Sequence, residues 1–215
     1  MDQNACTNPQ SPTTGVTPFS DPLAGVATPS YKTCTSWSTL NISSTRTISP
    51  DTYCGGISIN GGTVTLNPGL YVMNGGGTSI TDLGKGVTIF NTGAVSGSGG
   101  YRGIKITGGS TATLSAPTDT SNGGIVGILF FEDRNVSWSA VGSSQTSQIT
   151  GGSNTSLVGA LYFPTTTLTY SGGSSLTAWT DIVAYQLQVT GPSWINDNYS
   201  LSSGYSPIHT AALTE

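Results

Sequence analysis

The chain has 215 residues, of which 7% are charged and 35% hydrophobic, and its net charge is −4. Soluble proteins usually carry roughly 25% charged residues, so solubility here rests on Ser, Thr, Asn and Gln. The six cations, Lys32, Arg46, Lys85, Arg102, Lys105 and Arg134, are scattered singly, which leaves no basic stripe for a phosphate backbone and argues against a nucleic-acid partner. Disordered chains combine low hydrophobicity with high net charge, whereas the apolar residues here come in short alternating runs, the pattern of a folded β protein.

The length suits one domain. Residues 1 to 50 contain Pro9, Pro12, Pro18, Pro22, Pro29 and Pro50 among Ser, Thr and Asn, which forbids a long helix and predicts an irregular N-terminal wrap or cap. Met1 is followed by Asp2, Gln3 and Asn4, which is not the basic, apolar start of a signal peptide, so an exported chain would begin here as a mature or excised piece. No apolar run approaches the roughly 20 residues of a membrane span.

Cys6, Cys34 and Cys54 lie in the first quarter of the chain. One oxidised pair and one leftover is the simplest arithmetic. Cys34 with Cys54 is the expected pair, closing a loop that would stabilise by about 3 kcal/mol in the chain-entropy model; the alternative is three buried free thiols.

From Cys54 onward, brief β-branched runs alternate with Gly-Gly or Asn-Gly pairs that permit tight corners. The first unit, GGISINGGTVTLNPGLYVMNGGG at 55–77, predicts strands near 57–59, 63–66 and 70–73. The units at 78–93, 104–133, 148–173 and 176–195 follow, with the stem I-x-I-x-G-G-x-T-x-T-L recurring. Units that cannot bury an apolar face alone are expected to stack, each strand pairing in parallel with its equivalent one coil away. In Thr63-Val64-Thr65-Leu66 the apolar residues share one face and the threonines the other. The run Ile125 to Phe131 loses that alternation, which suits a strand covered on both faces, with the N-terminal wrap as cover. The expected fold is all-β: a right-handed parallel β-helix of about five short coils over residues 51–200, with the wrap at 1–50 and a tail at 201–215. An antiparallel β-sandwich is the alternative.

The ordered set DPLAG at 21–25, Cys34, YCGGISINGGTVTLNPGLYVMNGGG, GKGVTIFNTG, TLSAP with GGIVGILFFEDR, GALYFP and TYSGG resembles the C-terminal region of TadG-like proteins, which accompany the bacterial Tad (tight adherence, Flp) pilus-assembly machinery. The resemblance covers most of residues 21–191. It implies an envelope-associated or extracellular domain, which in the full-length family follows an N-terminal membrane anchor, and it supplies no catalytic residues. The absent anchor and the extra Cys6 depart from that pattern.

Candidate chemistry is sparse. The single histidine, His209, sits in the C-terminal tail with no orienting acid near it in sequence, so no Ser-His-Asp or Cys-His set is expected. A polysaccharide-active enzyme would need several carboxylates with a cation. The one charged cluster is Glu132-Asp133-Arg134; Glu132 and Asp133 point to opposite faces of a strand, and the plain expectation is a solvated strand end with a local ion pair. Asp51, Asp82, Asp119, Asp181 and Asp197 are isolated among turn residues, where Asp bonds to backbone; Ca²⁺ is the one ion they suggest, although no Ca²⁺-binding loop pattern is present. Thr63 and Thr65, Thr111 and Thr113, and Thr167 and Thr169 would, if stacked in register, form a hydroxyl and methyl ladder of the kind that orders ice, although threonine suits any exposed strand. Asn41, Asn135, Asn154 and Asn198 match the glycosylation pattern, which composition alone produces in a chain this rich in Asn and Ser. Tyr101, Trp138, Trp179, Trp194 and Tyr199 are the aromatic candidates for partner or glycan contact.

The expected function is a non-enzymatic extracellular or cell-envelope module for surface attachment or pilus assembly, with cell-surface proteins, pilus proteins or glycans as partners. The alternatives are a polysaccharide-active enzyme and an ice-binding protein.

Overall fold

The computed structural model describes residues 20–80, 82–93, 100–106, 112–136, 146–150, 155–171, 175–176, 180–191, 194–195 and 206–208; the side chains of residues 82, 175, 176, 194 and 195 are outside the description. Among the described residues the chain is all-β, and every strand pairing is parallel. An antiparallel sandwich has no pairing here to stand on.

The strands are β1 Leu40–Ile42, β2 Arg46–Ile48, β3 Thr52–Cys54, β4 Ile57–Ile59, β5 Val64–Leu66, β6 Gly69–Asn74, β7 Thr78–Ser79, β8 Asp82–Lys85, β9 Val87–Thr92, β10 Ile104–Ile106, β11 Thr113–Ser115, β12 Ile128–Glu132, β13 Ser147–Thr150, β14 Ser156–Val158, β15 Ala160–Ser171, β16 Ser175–Leu176, β17 Ile182–Thr190 and β18 Trp194–Ile195. Up to β12 each strand pairs with the one three positions on, so the strands stack in three columns in a solenoid-like arrangement. The first column is β1-β4-β7-β10-β13, the second β2-β5-β8-β11-β14, and the third β3-β6-β9-β12-β15. The long β15 belongs to two columns: Leu161 and Tyr162 register with Phe130 and Phe131 of β12, while Leu168 and Tyr170 register with Ser147 and Ile149 of β13. It thereby joins the first and third columns into one 11-stranded sheet, and β17 lies along its whole length.

The first strands begin at Leu40, inside the region expected to be an irregular wrap. Proline density concealed them, but Ile42 and Ile48 still turn inward while Asn41 and Thr47 face out. Successive coils vary in length because insertions fall between columns, so Leu40 registers with Ile57 but Lys105 registers with Gln148.

Column stacking puts like on like. Ile48, Leu66, Leu114 and Leu157 occupy one inward line of the second column, and Tyr71, Ile89, Phe130 and Leu161 one line of the third. This interior line is the main core. A second apolar cluster lies on the outer side of the third column, where Val72, Phe90, Phe131, Tyr162 and Val183 follow one another in register. Leu23 and Val26 of the N-terminal segment pack onto it, with Ile208. Tyr31 meets Phe90 at 5.8 Å between ring centres. The lost alternation at Ile125 to Phe131 has this cause: Phe131 points outward into a covered surface. The Cys34–Cys54 disulfide fastens the same segment to β3.

The corners are close backbone contacts. Gly56 has a φ of 74°, and a Cβ added there would collide with the Gly77 carbonyl oxygen of the next coil. Gly56→Ala is therefore expected to cost more than about 1 kcal/mol, as alanine does where φ is positive. Gly25, where an added Cβ would meet no atom within 4 Å, is the matched control, expected to stay within about 0.5 kcal/mol. Urea unfolding of both variants checks the pair, and equal midpoints would contradict the corner packing.

Candidate functional site

The charged cluster at the end of β12 is not solvated. Glu132 is fully buried and Asp133 is 6% exposed. Glu132 occupies an inward position, in register with Asn91 of β9. Tyr101 donates its hydroxyl to Oε1 at 2.5 Å and Thr166 donates to the same atom at 2.5 Å. Thr165 donates its hydroxyl to Oε2 at 3.2 Å. Burial raises the Glu132 carboxyl above the ordinary glutamate range, and the hydrogen bonds from Thr166, Tyr101 and Thr165 oppose that rise. Burial, with the neighbouring Glu132 charge, raises the Tyr101 phenol well above its usual value, which keeps it a donor. Tyr101, expected as an exposed partner contact, is thus wholly interior because it is the hydroxyl that this carboxylate requires.

Asp133 turns the other way. Its Oδ2 accepts from Thr92 at 2.7 Å, and its Oδ1 accepts the backbone N–H and side-chain amide of Asn135, both at 2.9 Å. The two acids therefore do face opposite sides, and neither is presented to a substrate.

Arg134 forms no ion pair with either neighbour; its partner is Asp21, at 3.5 Å. Its guanidinium donates to the Val26 carbonyl at 3.0 Å, the Leu23 carbonyl at 2.5 Å and the Tyr162 hydroxyl at 2.7 Å. It also lies over the rings of Phe131 and Tyr162, 5.2 and 5.1 Å from their centres. Tyr162 donates in turn to Asp21 at 2.5 Å. Burial, reinforced by Asp21, pushes the Tyr162 phenol upward. A planar five-donor fork suits this combination of carbonyls, carboxylate and rings. Arg134 is the pin that holds the N-terminal strap on the outer aromatic row. Its partners on the strap lie more than a hundred positions away in the chain, so no local pattern announces the role.

The remaining acids whose side chains are described are also engaged. Asp51 accepts from Lys32 at 2.8 Å and from the Thr52 N–H. These two contacts hold its carboxyl below the ordinary aspartate value. Asp119 closes a turn through Ser121, and Asp181 accepts from Ser206 at 2.8 Å. Among the described residues no group of three His, Cys, Asp or Glu is placed to hold a metal ion.

The outward lines of the first two columns are almost uncharged. Along the first column the outward line is Asn41, Ser58, Ser79, Lys105, Gln148, Thr169 and Gln188. Along the second it is Thr47, Thr65, Leu83, Thr113 and Ser156. Thr63, Thr65 and Thr113 are exposed as expected. The third Thr-x-Thr pair is elsewhere: Thr167 and Thr169 lie on β15 in the first column, with Thr167 buried, because that half of β15 pairs with β13 and β17. Thr111, Trp138, Trp179, Asp197, Tyr199, His209, Asn154, Asn198 and Cys6 lie outside the described residues, and Trp194 is placed only as part of β18. Asn41 and Asn135 are exposed. Among the described residues no helix is long and apolar enough to cross a membrane.

Comparison with protein-family models, with curated proteins and with solved structures finds no match.

Two expectations follow from the buried network. Glu132 has a folded pKa above its unfolded value, so the native state binds the proton more readily, and stability falls as pH rises through the raised value. Glu132→Gln should flatten the loss of unfolding free energy as pH rises above the ordinary glutamate range, relative to the parent chain; parallel profiles would contradict the burial of a titrating acid. Arg134→Lys keeps the charge but leaves the Leu23 and Val26 carbonyls underbonded, at a cost of about 1–3 kcal/mol. Hydrogen exchange should then speed up at residues 20–33 and stay unchanged in the stacked strands.

Proposed function

We propose that the chain is a non-enzymatic extracellular or cell-envelope module for surface attachment, built as a right-handed, three-sided parallel β-helix. The supporting observation is where the chemistry sits. The clustered acids Glu132 and Asp133 are consumed by packing, while the two columns not covered by the strap offer hydroxyl and amide rows. General acid–base catalysis needs carboxylates within reach of a substrate proton, so the arrangement favours a binding scaffold over a polysaccharide-active enzyme.

The resemblance to TadG-like proteins gives this scaffold a setting in pilus-linked assembly, with pilus proteins, other cell-surface proteins or surface glycans as partners. A disulfide at Cys34–Cys54 accords with an oxidising compartment outside the cytoplasm. The ice-binding alternative is less well supported, because its threonine row is interrupted at the centre by Leu83.

The test is direct contact. The purified chain, fluorescently labelled, is expected to bind bacterial cells, isolated pilus components or immobilised surface glycans with the affinity unchanged by Glu132→Gln. Absence of binding on all three would overturn the attachment reading, and turnover of any polysaccharide that Glu132→Gln abolishes would replace it with the enzymatic one.

A further inference from the structure

The outer side of the second column carries a cleft of about 430 Å³ between β5, β8 and β11, a size within the range of about 300–1,000 Å³ common to small-ligand sites. Thr65, Asn67, Pro68, Leu83, Lys85 and Thr113 form its exposed lining. Where neighbouring coils carry Ile48, Leu66, Leu114 and Leu157, β8 carries Gly84. Leu66, Val87 and Leu114 fill the interior behind it, 3.0, 3.0 and 3.2 Å from where a Cβ would stand, so β8 is packed from within while its outer face carries Leu83 and Lys85.

The chemistry around the cleft is of three kinds. Leu83, 39% exposed, and Pro68 supply an apolar floor. An exposed leucine alone says little, but this one interrupts a hydroxyl row, with Thr65 and Thr113 in register on either side. Asn67 donates its amide to Ser49 at 3.1 Å, which turns its carbonyl oxygen into the atom it offers. Lys85 brings an ammonium with three donors on a flexible stem, suited to a carboxylate.

An apolar patch flanked by hydroxyls and a cation matches a sugar ring with a carboxylate: the C–H face rests on Leu83 and Pro68, the ring hydroxyls meet Thr65, Thr113 and Asn67, and the acid meets Lys85. We propose that this cleft binds a uronic-acid unit of a linear acidic polysaccharide. Because the strands repeat at about 4.8 Å, a polymer crossing them meets further hydroxyls at Thr47 and Ser156 on either side of the cleft. The proposal rests on the attachment reading and specifies its ligand.

The experiment is calorimetric titration of the full chain with oligogalacturonate, with neutral cello-oligosaccharide of equal length as the comparison. Lys85→Gln and Leu83→Asp alter exposed residues and should preserve the circular dichroism and melting temperature of the parent. Each is expected to weaken oligogalacturonate binding by about tenfold or more, the loss of one charge-assisted contact or of the apolar floor. Lys105→Gln, the matching cation on the first column, should leave it unchanged. Equal binding of the neutral oligomer, equal weakening by Lys105→Gln, or no binding of oligogalacturonate would each overturn the cleft assignment. If cell binding persists in Lys85→Gln and Leu83→Asp while oligogalacturonate fails to bind, only the cleft assignment falls; if the parent chain binds no cell, pilus component or glycan, the attachment reading falls with it.

Discussion

Parallel pairing of each strand with the one a coil away is the constraint from which the other features descend. In such a stack every side chain has a near neighbour in register above and below, at about 4.8 Å. A charge on the inside would be buried beside its own column, and a charge repeated on the outside would face its like. The sequence meets this by removing charge almost entirely: apolar residues line the interior and hydroxyls the exterior. The corners require backbone to pass close to backbone, which explains why Gly55-Gly56 and Gly75-Gly76-Gly77 lie on successive coils.

The third column departs from this scheme, and its departure organises the N-terminal region. Its outer line is aromatic rather than polar, with Phe90, Phe131 and Tyr162 stacked at 5.6 and 5.1 Å between ring centres. Left open, that row would be an apolar edge exposed to water. The strap from residue 20 onward covers it, held at one end by Arg134 and at the other by the disulfide. Among the described residues the strap leaves the other two columns uncovered, and the third is committed to holding the chain together.

Much of this is legible in the order of the residues alone. Ile57 to Ile59 and Val64 to Leu66 alternate cleanly, and the recurrence of their stem announces parallel stacking. The broken alternation at Phe130-Phe131 announces the cover, and the spacing of Cys34 and Cys54 suits their bond. The strands at Leu40 and Arg46 are hidden because three residues between prolines and serines carry too little pattern. The roles of Glu132, Tyr101 and Arg134 are hidden for a different reason. Glu132 reads as a surface acid until Tyr101 and Thr166, more than thirty positions away on either side, are brought against it. A charged residue whose partners are distant in sequence gives no local sign of burial. The register of the threonines is likewise inaccessible, since the insertions between coils decide which column each pair joins.

The central claim is the register itself, and a distance across several coils tests it most directly. Thr47 and Ser156 lie in one outward line, four coil steps apart. With Cys6 replaced by serine and both positions changed to cysteine for spin labelling, pulsed dipolar spectroscopy should give one narrow distribution, centred near about 19 Å between the labelled backbones. A broad distribution, or one centred far from that value, would contradict the in-register parallel stack.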